Sequence, residues 1–179
     1  MAMTEDGAGN APGKREQERV AELRRLMVMD SAQEQAYDDI TRLAANVCDT
    51  PIALISLVDD QRQWFKSRVG LQARQTPREM AFCAHAIANP GKPMVVNDAT
   101  QDERFAGNPL VTGEPNIRFY AGAPLVTSSG QALGTLCVLD SRPREIQDDT
   151  LEYLRFLAQE VIRMLEARVP HGDAGPPGR

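Results

Sequence analysis

Residues 117–140 constrain the fold more than any other stretch of this sequence. Two apolar runs, 117–126 and 132–140, flank a short polar turn that contains Ser128, Ser129 and Gly130, a pattern typical of a long β-hairpin. Successive side chains of a strand face opposite sides of a sheet, so the hairpin should have one apolar face and one mixed face. We expect helices to cover the apolar face and a lined cavity to lie on the mixed face.

Parity assigns the side chains of the hairpin to these faces. The apolar face of the first strand carries Phe119, Ala121, Ala123 and Leu125. The mixed face carries Arg118, Tyr120, Gly122 and Pro124. In the second strand, Leu136 and Val138 alternate with Thr135 and Cys137. The sequence does not determine the register of the hairpin, so the way in which the two strands combine their faces stays open.

The composition favours one globular domain that is not built for nucleic acid or membrane. The 179 residues are 42% hydrophobic, which is enough for a single core. A net charge of -5 argues against a nucleic-acid surface, and no apolar stretch reaches the ~20 residues that a membrane span needs. The first residues lack the apolar region of a secretory signal. Cys48, Cys83 and Cys137 are widely spaced without a CxxC pair, so we expect a reducing cytoplasm.

Helical periodicity marks both ends of the chain. Apolar residues predict a first helix over 14–29 and a last helix from 147–149 to about Val169. Ser31 and Glu34 have capping-box spacing, so a second helix should begin at Ser31 and end near 49–51. Residues 1–13 and 170–179 are expected to be disordered, which leaves 14–169 as one domain.

The middle of the chain alternates strands with irregular segments. Residues 52–58 form an unbroken apolar run that predicts a central strand, and 63–69 predict its partner. A short helical piece over 79–88, a brief strand at 94–96, a helical turn within 98–107 and a loop over 108–116 should follow. This order predicts an α+β fold with terminal helices on one face of an antiparallel sheet and irregular segments on the other.

Five ordered blocks resemble the bacterial GAF sensor domain. They read Phe-Cys-Ala-His-Ala-Ile at 82–87, Val-Asn-Asp-Ala-Thr-Gln-Asp-Glu-Arg-Phe at 96–105, Asn-Pro-Leu-Val at 108–111, Ile-Arg-Phe-Tyr-Ala-Gly-Ala-Pro-Leu at 117–125 and Gly-Thr-Leu-Cys-Val-Leu-Asp at 134–140. The resemblance spans about 31–166. It implies a PAS-related, six-stranded antiparallel sheet with a ligand pocket opposite the terminal helices. It also implies a cytoplasmic input module in signal transduction.

The candidate ligand-binding residues come from these blocks and from the mixed face of the hairpin. They are Phe82, Cys83, His85, Asp98, Phe105, Arg118, Tyr120, Thr135 and Cys137. The guanidinium of Arg118 would suit a carboxylate or phosphate, and an ion pair with Asp98 or Asp102 is the alternative. Asp98 is equally suited to capping a helical turn. No metal site is expected, because His171 is the only other histidine.

The resemblance leaves the ligand, the cofactor and the partner unnamed. We expect a small-molecule sensor without enzymatic activity, which forms a homodimer through its terminal helices and acts on a separate effector protein. A ligand-free dimerisation module is one alternative. An enzyme similar to free methionine-(R)-sulfoxide reductase, using Cys83, is the other. Two facts oppose it: residues 93–134 contain no cysteine, and positions two apart on a helix, as Cys83 and His85 are, diverge by about 200°.

Overall fold

Six antiparallel strands form one sheet in the computed structural model, which describes residues 6–168 and side chains from Gly13 onward. The strands are β1 (Ile52–Val58), β2 (Arg62–Val69), β3 (Gln75–Pro77), β4 (Met94–Val96), β5 (Phe119–Val126) and β6 (Ala132–Asp140). Their order across the sheet is β3-β2-β1-β6-β5-β4. Every residue of β1 is buried, as its unbroken apolar run predicted. The predicted six-stranded α+β fold is confirmed.

Five helices accompany this sheet in the described part of the chain. They are α1 (Asp6–Arg25), α2 (Gln35–Cys48), α3 (Phe82–Ile87), α4 (Pro109–Thr112) and α5 (Asp148–Glu166), with 3-10 turns at Arg78–Met80 and Ala99–Gln101. The first helix begins inside the segment that was expected to be disordered. The short helix α4 lies where only a loop was predicted. Residues 1–5, Val169 and the 170–179 tail lie outside the described residues. No helix within 6–168 is long and apolar enough to cross a membrane.

The register of β5 and β6 sends their side chains into two separate cores. Ala121 pairs with Val138 and Ala123 with Leu136, and these four side chains pack beneath the long helices. The opposite core takes Tyr120, which belongs to the mixed face. The helix-facing core also contains the buried stripe of α5, which consists of Leu154, Leu157, Ala158, Val161, Ile162 and Leu165. The predicted separation into an apolar helix face and a second face is therefore confirmed.

The capping box predicted at Ser31 is wrong. The helix α2 begins at Gln35, with Glu34 as its N-cap residue and no side-chain capping bond. The hydroxyl of Ser31 instead donates to the Val28 carbonyl oxygen and accepts a hydrogen bond from Lys66 Nζ at 2.8 Å. The Ser31 hydroxyl is therefore hydrogen-bonded to a lysine of the distant strand β2, instead of capping the helix as the sequence pattern predicted.

Lys66 ties the ends of the helices to the sheet. Its side chain is fully buried, and a buried ammonium needs close acceptors because it has lost its hydration. Besides Ser31, it donates to the Ala32 carbonyl oxygen and to Glu34 Oε2, the latter at 2.7 Å. Arg168, just beyond α5, donates to the same carboxylate oxygen at 2.7 Å. The α1–α2 linker and the end of α5 are therefore joined through one carboxylate, and we name Lys66, Glu34 and Arg168 the clasp.

We predict that Glu34→Gln destabilises the protein by about 1–2 kcal/mol, because it removes the negative partner of a buried ammonium. The hydrogen bond from Lys66 lowers the pKa of Glu34. This interaction therefore stabilises the fold above the ordinary glutamate pKa and is lost as the pH falls through the lowered value. Urea denaturation at several pH values should show the gap between variant and wild type closing in acid. Glu152→Gln, which breaks an exposed pair with Arg155, is the matched control and should change little. An equal effect in both variants would contradict the role of the clasp.

Candidate functional site

Short helices and loops cover the face of the sheet opposite α2 and α5. Six of the nine candidate residues are buried on this side: Phe82, Cys83, Phe105, Tyr120, Thr135 and Cys137. They come from α3, from the loop after β4 and from the adjacent strands β5 and β6. The structure thus brings together six of the nine residues that the hairpin parity and the sequence blocks selected.

Aromatic rings fill the space in which a ligand cavity was expected. Phe82 stacks on Phe105 with 4.1 Å between ring centroids, and Phe82 lies 5.3 Å from the Tyr120 ring. The three side chains are at most 2% exposed. None of the five cavities described for the molecule is lined by any of them. The expectation of an open pocket is therefore corrected, because these rings occupy its volume.

Gly122 explains how the Tyr120 ring fits against the sheet. A Cβ at position 122 would lie 2.2 Å from the Tyr120 hydroxyl oxygen and 2.6 Å from Cζ, well inside van der Waals contact. The missing side chain therefore lets the ring lie along β5. In this position the hydroxyl lies 3.2 Å from Thr135 Oγ1 and 3.3 Å from Cys83 Sγ.

A polar cluster lies buried beneath the rings, and we name it the thiol cluster: Cys83, Tyr120, Thr135 and Cys137. Cys83 Sγ is 2.9 Å from Thr135 Oγ1, and Cys137, the next residue on the same face of β6, packs in the same core as Cys83. In their protonated forms all four side chains can both donate and accept hydrogen bonds. Cys83, Tyr120 and Thr135 are hydrogen-bonded to one another, as buried polar groups must be to avoid a large desolvation cost.

A second pair of polar side chains extends the thiol cluster toward the edge of the sheet. Ser56 pairs with Thr135 across β1 and β6, and its hydroxyl donates to Gln63 Oε1 at 2.7 Å. Gln63 Nε2 donates to Thr76 Oγ1 at 2.9 Å, which fixes the orientation of the amide. Sequence reasoning missed Ser56 and Gln63. Ser56 is nevertheless the only polar residue in the apolar run 52–58, which is a usable signal.

The three titratable members of the thiol cluster differ in proton affinity. Burial raises the pKa of Cys83, but hydrogen bonds from its neighbours outweigh that effect and hold the value at about 7. Burial raises the pKa values of Tyr120 and Cys137 well above their ordinary range. The first negative charge in the cluster therefore resides on Cys83, with Tyr120 and Cys137 retained as protonated donors.

His85 lies outside the thiol cluster. Its imidazole is exposed and meets the edge of the Phe105 ring, with 4.9 Å between centroids. Desolvation, followed by the charge of Arg104, lowers its pKa. Cys83 points into the core from the same helix, so the predicted divergence of the two side chains is observed.

Asp98 and Arg118 have local structural partners. Asp98 caps the 3-10 turn Ala99–Gln101, with Oδ1 accepting from Thr100 N at 3.0 Å. Arg118 Nη1 donates to the carbonyl oxygens of Val111 and Ile117. The alternative of an ion pair with Asp98 or Asp102 is not observed, because Asp102 pairs with Arg104 at 2.7 Å. Arg118 thus holds the loop that closes the site.

Two outer cavities flank α3 without reaching the thiol cluster. One, of about 580 Å³, is lined by Asp60, Gln61, Arg78, Glu79, Ala81, Ala84 and His85. The other, of about 360 Å³, is lined by His85, Ala86, Asn89, Lys92, Pro93, Met94, Val95 and Arg104. The helix is therefore bordered by open space on two sides. The described residues contain no group of three His, Cys, Asp or Glu side chains arranged to hold a metal ion.

Sequence comparison finds a family and a curated relative. Residues 33–164 match the family model of the GAF domain. The cyclic di-GMP phosphodiesterase PA2567 of Pseudomonas aeruginosa is 50% identical over 129 residues, which are 72% of this chain and 22% of that protein. The chain thus spans about a fifth of this relative's length.

Structure comparison finds the same fold in proteins of low sequence identity. The GAF domain of an Acinetobacter phosphoenolpyruvate-protein phosphotransferase superposes with a TM-score of 0.64 at 17% identity, covering 94% of this chain and 99% of that one. Free methionine-R-sulfoxide reductase from Neisseria meningitidis, solved with its substrate, gives 0.61 at 19% identity, covering 94% and 95%. A far-red cyanobacteriochrome photoreceptor gives 0.63 at 16% identity, covering 88% and 96%.

We predict that Gly122→Ala destabilises the protein by about 1–3 kcal/mol, because the new methyl group overlaps the Tyr120 ring. In a Tyr120→Leu background the same substitution should cost much less, since the ring is gone. Guanidinium denaturation of the four proteins in this cycle measures the coupling. Gly91→Ala is the matched control, because a Cβ there meets no atom within 4 Å. Additive effects of the two substitutions would contradict the proposed ring placement.

Proposed function

Because the chain belongs to the GAF domain family, we propose that it is a signal-input module that senses a small molecule at the thiol cluster face and acts on an effector through its terminal helices. The observation that carries this proposal is the match to a signalling family over residues 33–164. The curated relative supports it: most of that phosphodiesterase lies outside the matched segment, which suits a segment with an input role.

The sheet supplies a direct mechanical link from the site to the helices. Tyr120 on β5 faces the thiol cluster, while its neighbours Phe119 and Ala121 face the core beneath α2 and α5. Cys137 and Val138 stand in the same relation on β6. Packed cores transmit small displacements because they are dense and have little free volume. A displacement of Tyr120 would therefore move its neighbours on β5 and, through them, the residues that pack against α5.

A ligand that enters this site must displace the rings that now close it. Phe82 and Phe105 belong to short, separate segments, so they can move without breaking the sheet. The buried hydroxyl and thiol groups beneath them would then offer hydrogen bonds to a small polar molecule with an apolar body. We infer a sensor in which ligand binding is coupled to movement of these rings.

We infer binding rather than turnover for this site. Cys83 is 1% exposed and lies under stacked rings, which leaves no room for a substrate of amino-acid size in this closed form. The likeness to a methionine sulfoxide reductase is one of fold, at 19% identity. The three cysteines are free thiols, and this supports our assignment to the reducing cytoplasm.

We propose a homodimer through the helix layer. Tyr153 and Phe156 on α5 are 42% and 57% exposed, and their rings lie 6.3 Å apart. Such aromatic surface is stabilised by burial against a second copy. Ile162 is buried within the chain and Met164 is partly buried, so the exposed apolar surface of α5 centres on Tyr153 and Phe156.

The ligand proposal is tested by replacing a side chain of the site with a larger one. Native mass spectrometry of freshly purified wild type should show a non-covalent adduct acquired from cell extract. Phe105→Trp should lose this adduct, because the larger ring cannot be displaced into the same volume. Phe156→Trp, an exposed position on α5, is the matched control and should keep it. A Phe105→Trp protein that is folded by circular dichroism and retains the adduct would place the ligand elsewhere.

The assembly proposal is tested separately. Sedimentation equilibrium should show wild type as a dimer at micromolar concentration, and Phe156→Glu should weaken it at least tenfold by placing a charge in the interface. Gln159→Glu, also exposed on α5, should leave the dimer intact. A monomeric wild type, or equal weakening by both variants, contradicts a dimer through this face.

A further inference from the structure

Two of the three cysteines share the thiol cluster. Cys83 on α3 and Cys137 on β6 are 1% and 0% exposed; Cys83 Sγ contacts Thr135, and Cys137 is the next residue on the same face of that strand and in the same core. Cys48 lies on α2 in the other core, where burial raises its pKa to about 11. The chain therefore contains one close pair of thiols and one isolated thiol that can serve as an internal control.

We propose that Cys83 and Cys137 are a redox-sensitive pair, converted to a disulfide by a small hydroperoxide, and that this oxidation is a signal received at the thiol cluster. Disulfide formation is chemistry that the isolated protein performs by itself. Only the role of this oxidation as a signal rests on the proposed input function.

Two hydroxyl groups lie within hydrogen-bonding distance of the Cys83 sulfur. They belong to Tyr120, at 3.3 Å, and to Thr135, at 2.9 Å. Convergent donors favour the thiolate, which is the nucleophilic form.

Proton affinity assigns different roles to the two thiols. The pKa of Cys83 is about 7, whereas that of Cys137 is raised well above its ordinary value by burial and by Cys83. At neutral pH, Cys83 is thus the thiol that attacks and Cys137 remains protonated until needed. Tyr120 also stays protonated and can supply a proton to a leaving oxygen.

The reaction balances in two steps. The Cys83 thiolate attacks one peroxide oxygen, an S–O bond forms, the O–O bond breaks, and the other oxygen leaves as an alcohol, or as water from hydrogen peroxide, after taking a proton. The Cys137 sulfur then attacks the sulfenic acid at Cys83, the S–O bond breaks, and the hydroxyl leaves as water with the Cys137 proton. Two thiols lose two electrons and two protons, and the hydroperoxide is reduced.

Access requires only a local opening of α3. This helix has six residues, and its small, partly exposed residue Ala84, next to Cys83, lines the 580 Å³ outer cavity. Four of the six residues are buried, so entry requires a transient displacement of the whole short helix. A peroxide close in size to water could enter through such an opening while the sheet remains intact.

Disulfide formation would alter the site that the proposed sensor uses. An S–S bond of about 2.05 Å ties Cys83 directly to Cys137 on β6 and changes its contacts with the Tyr120 and Thr135 hydroxyls. Phe82 precedes Cys83 in the chain and stacks on Phe105, so the stack must shift with it. Oxidation would therefore act on the same aromatic closure as a ligand.

The pair is tested by treating the reduced, full-length protein with hydrogen peroxide. Trypsin places the three cysteines in three different peptides, so mass spectrometry without reductant identifies the partners. We expect free thiols to fall from three to one, with Cys48 remaining and the peptides of Cys83 and Cys137 joined. Cys48→Ser should give the same disulfide. Cys137→Ser should stop at a Cys83 sulfenic acid that dimedone traps.

Tyr120→Phe provides the readout that separates an activated thiol from a merely buried one. Loss of the hydroxyl donor should slow peroxide consumption about fivefold at pH 7, because a rise of about one unit from a pKa of about 7 lowers the thiolate fraction of Cys83 by that factor. The wild-type rate should rise with pH through about 7, where the thiolate forms, and the variant profile should lie at higher pH.

Several outcomes would overturn the proposal. These are a disulfide that includes Cys48, an unchanged Cys83 product in Cys137→Ser, or a rate no faster than that of the urea-unfolded chain. If the disulfide forms but the dimer and the amide exchange of α5 are unchanged, the redox pair stands and its role as a signal fails. If no disulfide forms while a ligand adduct binds, the input function stands and the redox inference fails.

Discussion

The pairing of β5 with β6 is the constraint on which the rest of the molecule depends. Gly122 lies opposite Cys137 and Ala121 opposite Val138, so each strand supplies both cores. A slip of one residue would turn Tyr120 toward the helices and Ala121 toward the thiol cluster. Gly134 keeps β6 close to β1, since a Cβ there would lie 1.8 Å from the Ser56 carbonyl oxygen. The site therefore exists because this register is fixed.

Features that depend on strand parity could be predicted from the sequence, and features that depend on distant partners could not. The two faces of the hairpin follow from alternation alone and are observed. The capping box at Ser31 failed because Lys66, on another element, competes for the same hydroxyl. Arg118 was expected to bind a ligand carboxylate or phosphate, or to pair with Asp98 or Asp102, yet the partners observed are carbonyl oxygens, which every residue carries and no sequence pattern reveals.

The filled pocket shows where sequence reasoning reaches its limit. The same residues can line a cavity or close it, and the difference is the packing of three rings within a few ångströms. The signal that could have been used is the glycine two positions after Tyr120. A glycine inside a strand often marks a close approach, and here the approaching group is the tyrosine ring of the same strand.

Stability alone does not account for the thiol cluster. A core of this size would be as stable, or more so, with apolar side chains in place of four hydrogen-bonding groups, since each buried polar group must regain its lost hydration. Here Cys83, Tyr120 and Thr135 are hydrogen-bonded to one another with Cys137 beside them, and no charged side chain of the described residues 13–168 is hydrogen-bonded to this cluster. Because these polar groups are costly to bury and bring no gain in stability, we assign them a functional role. Their position, between the closing aromatic rings and the strands that support α5, is where a chemical change would be transmitted.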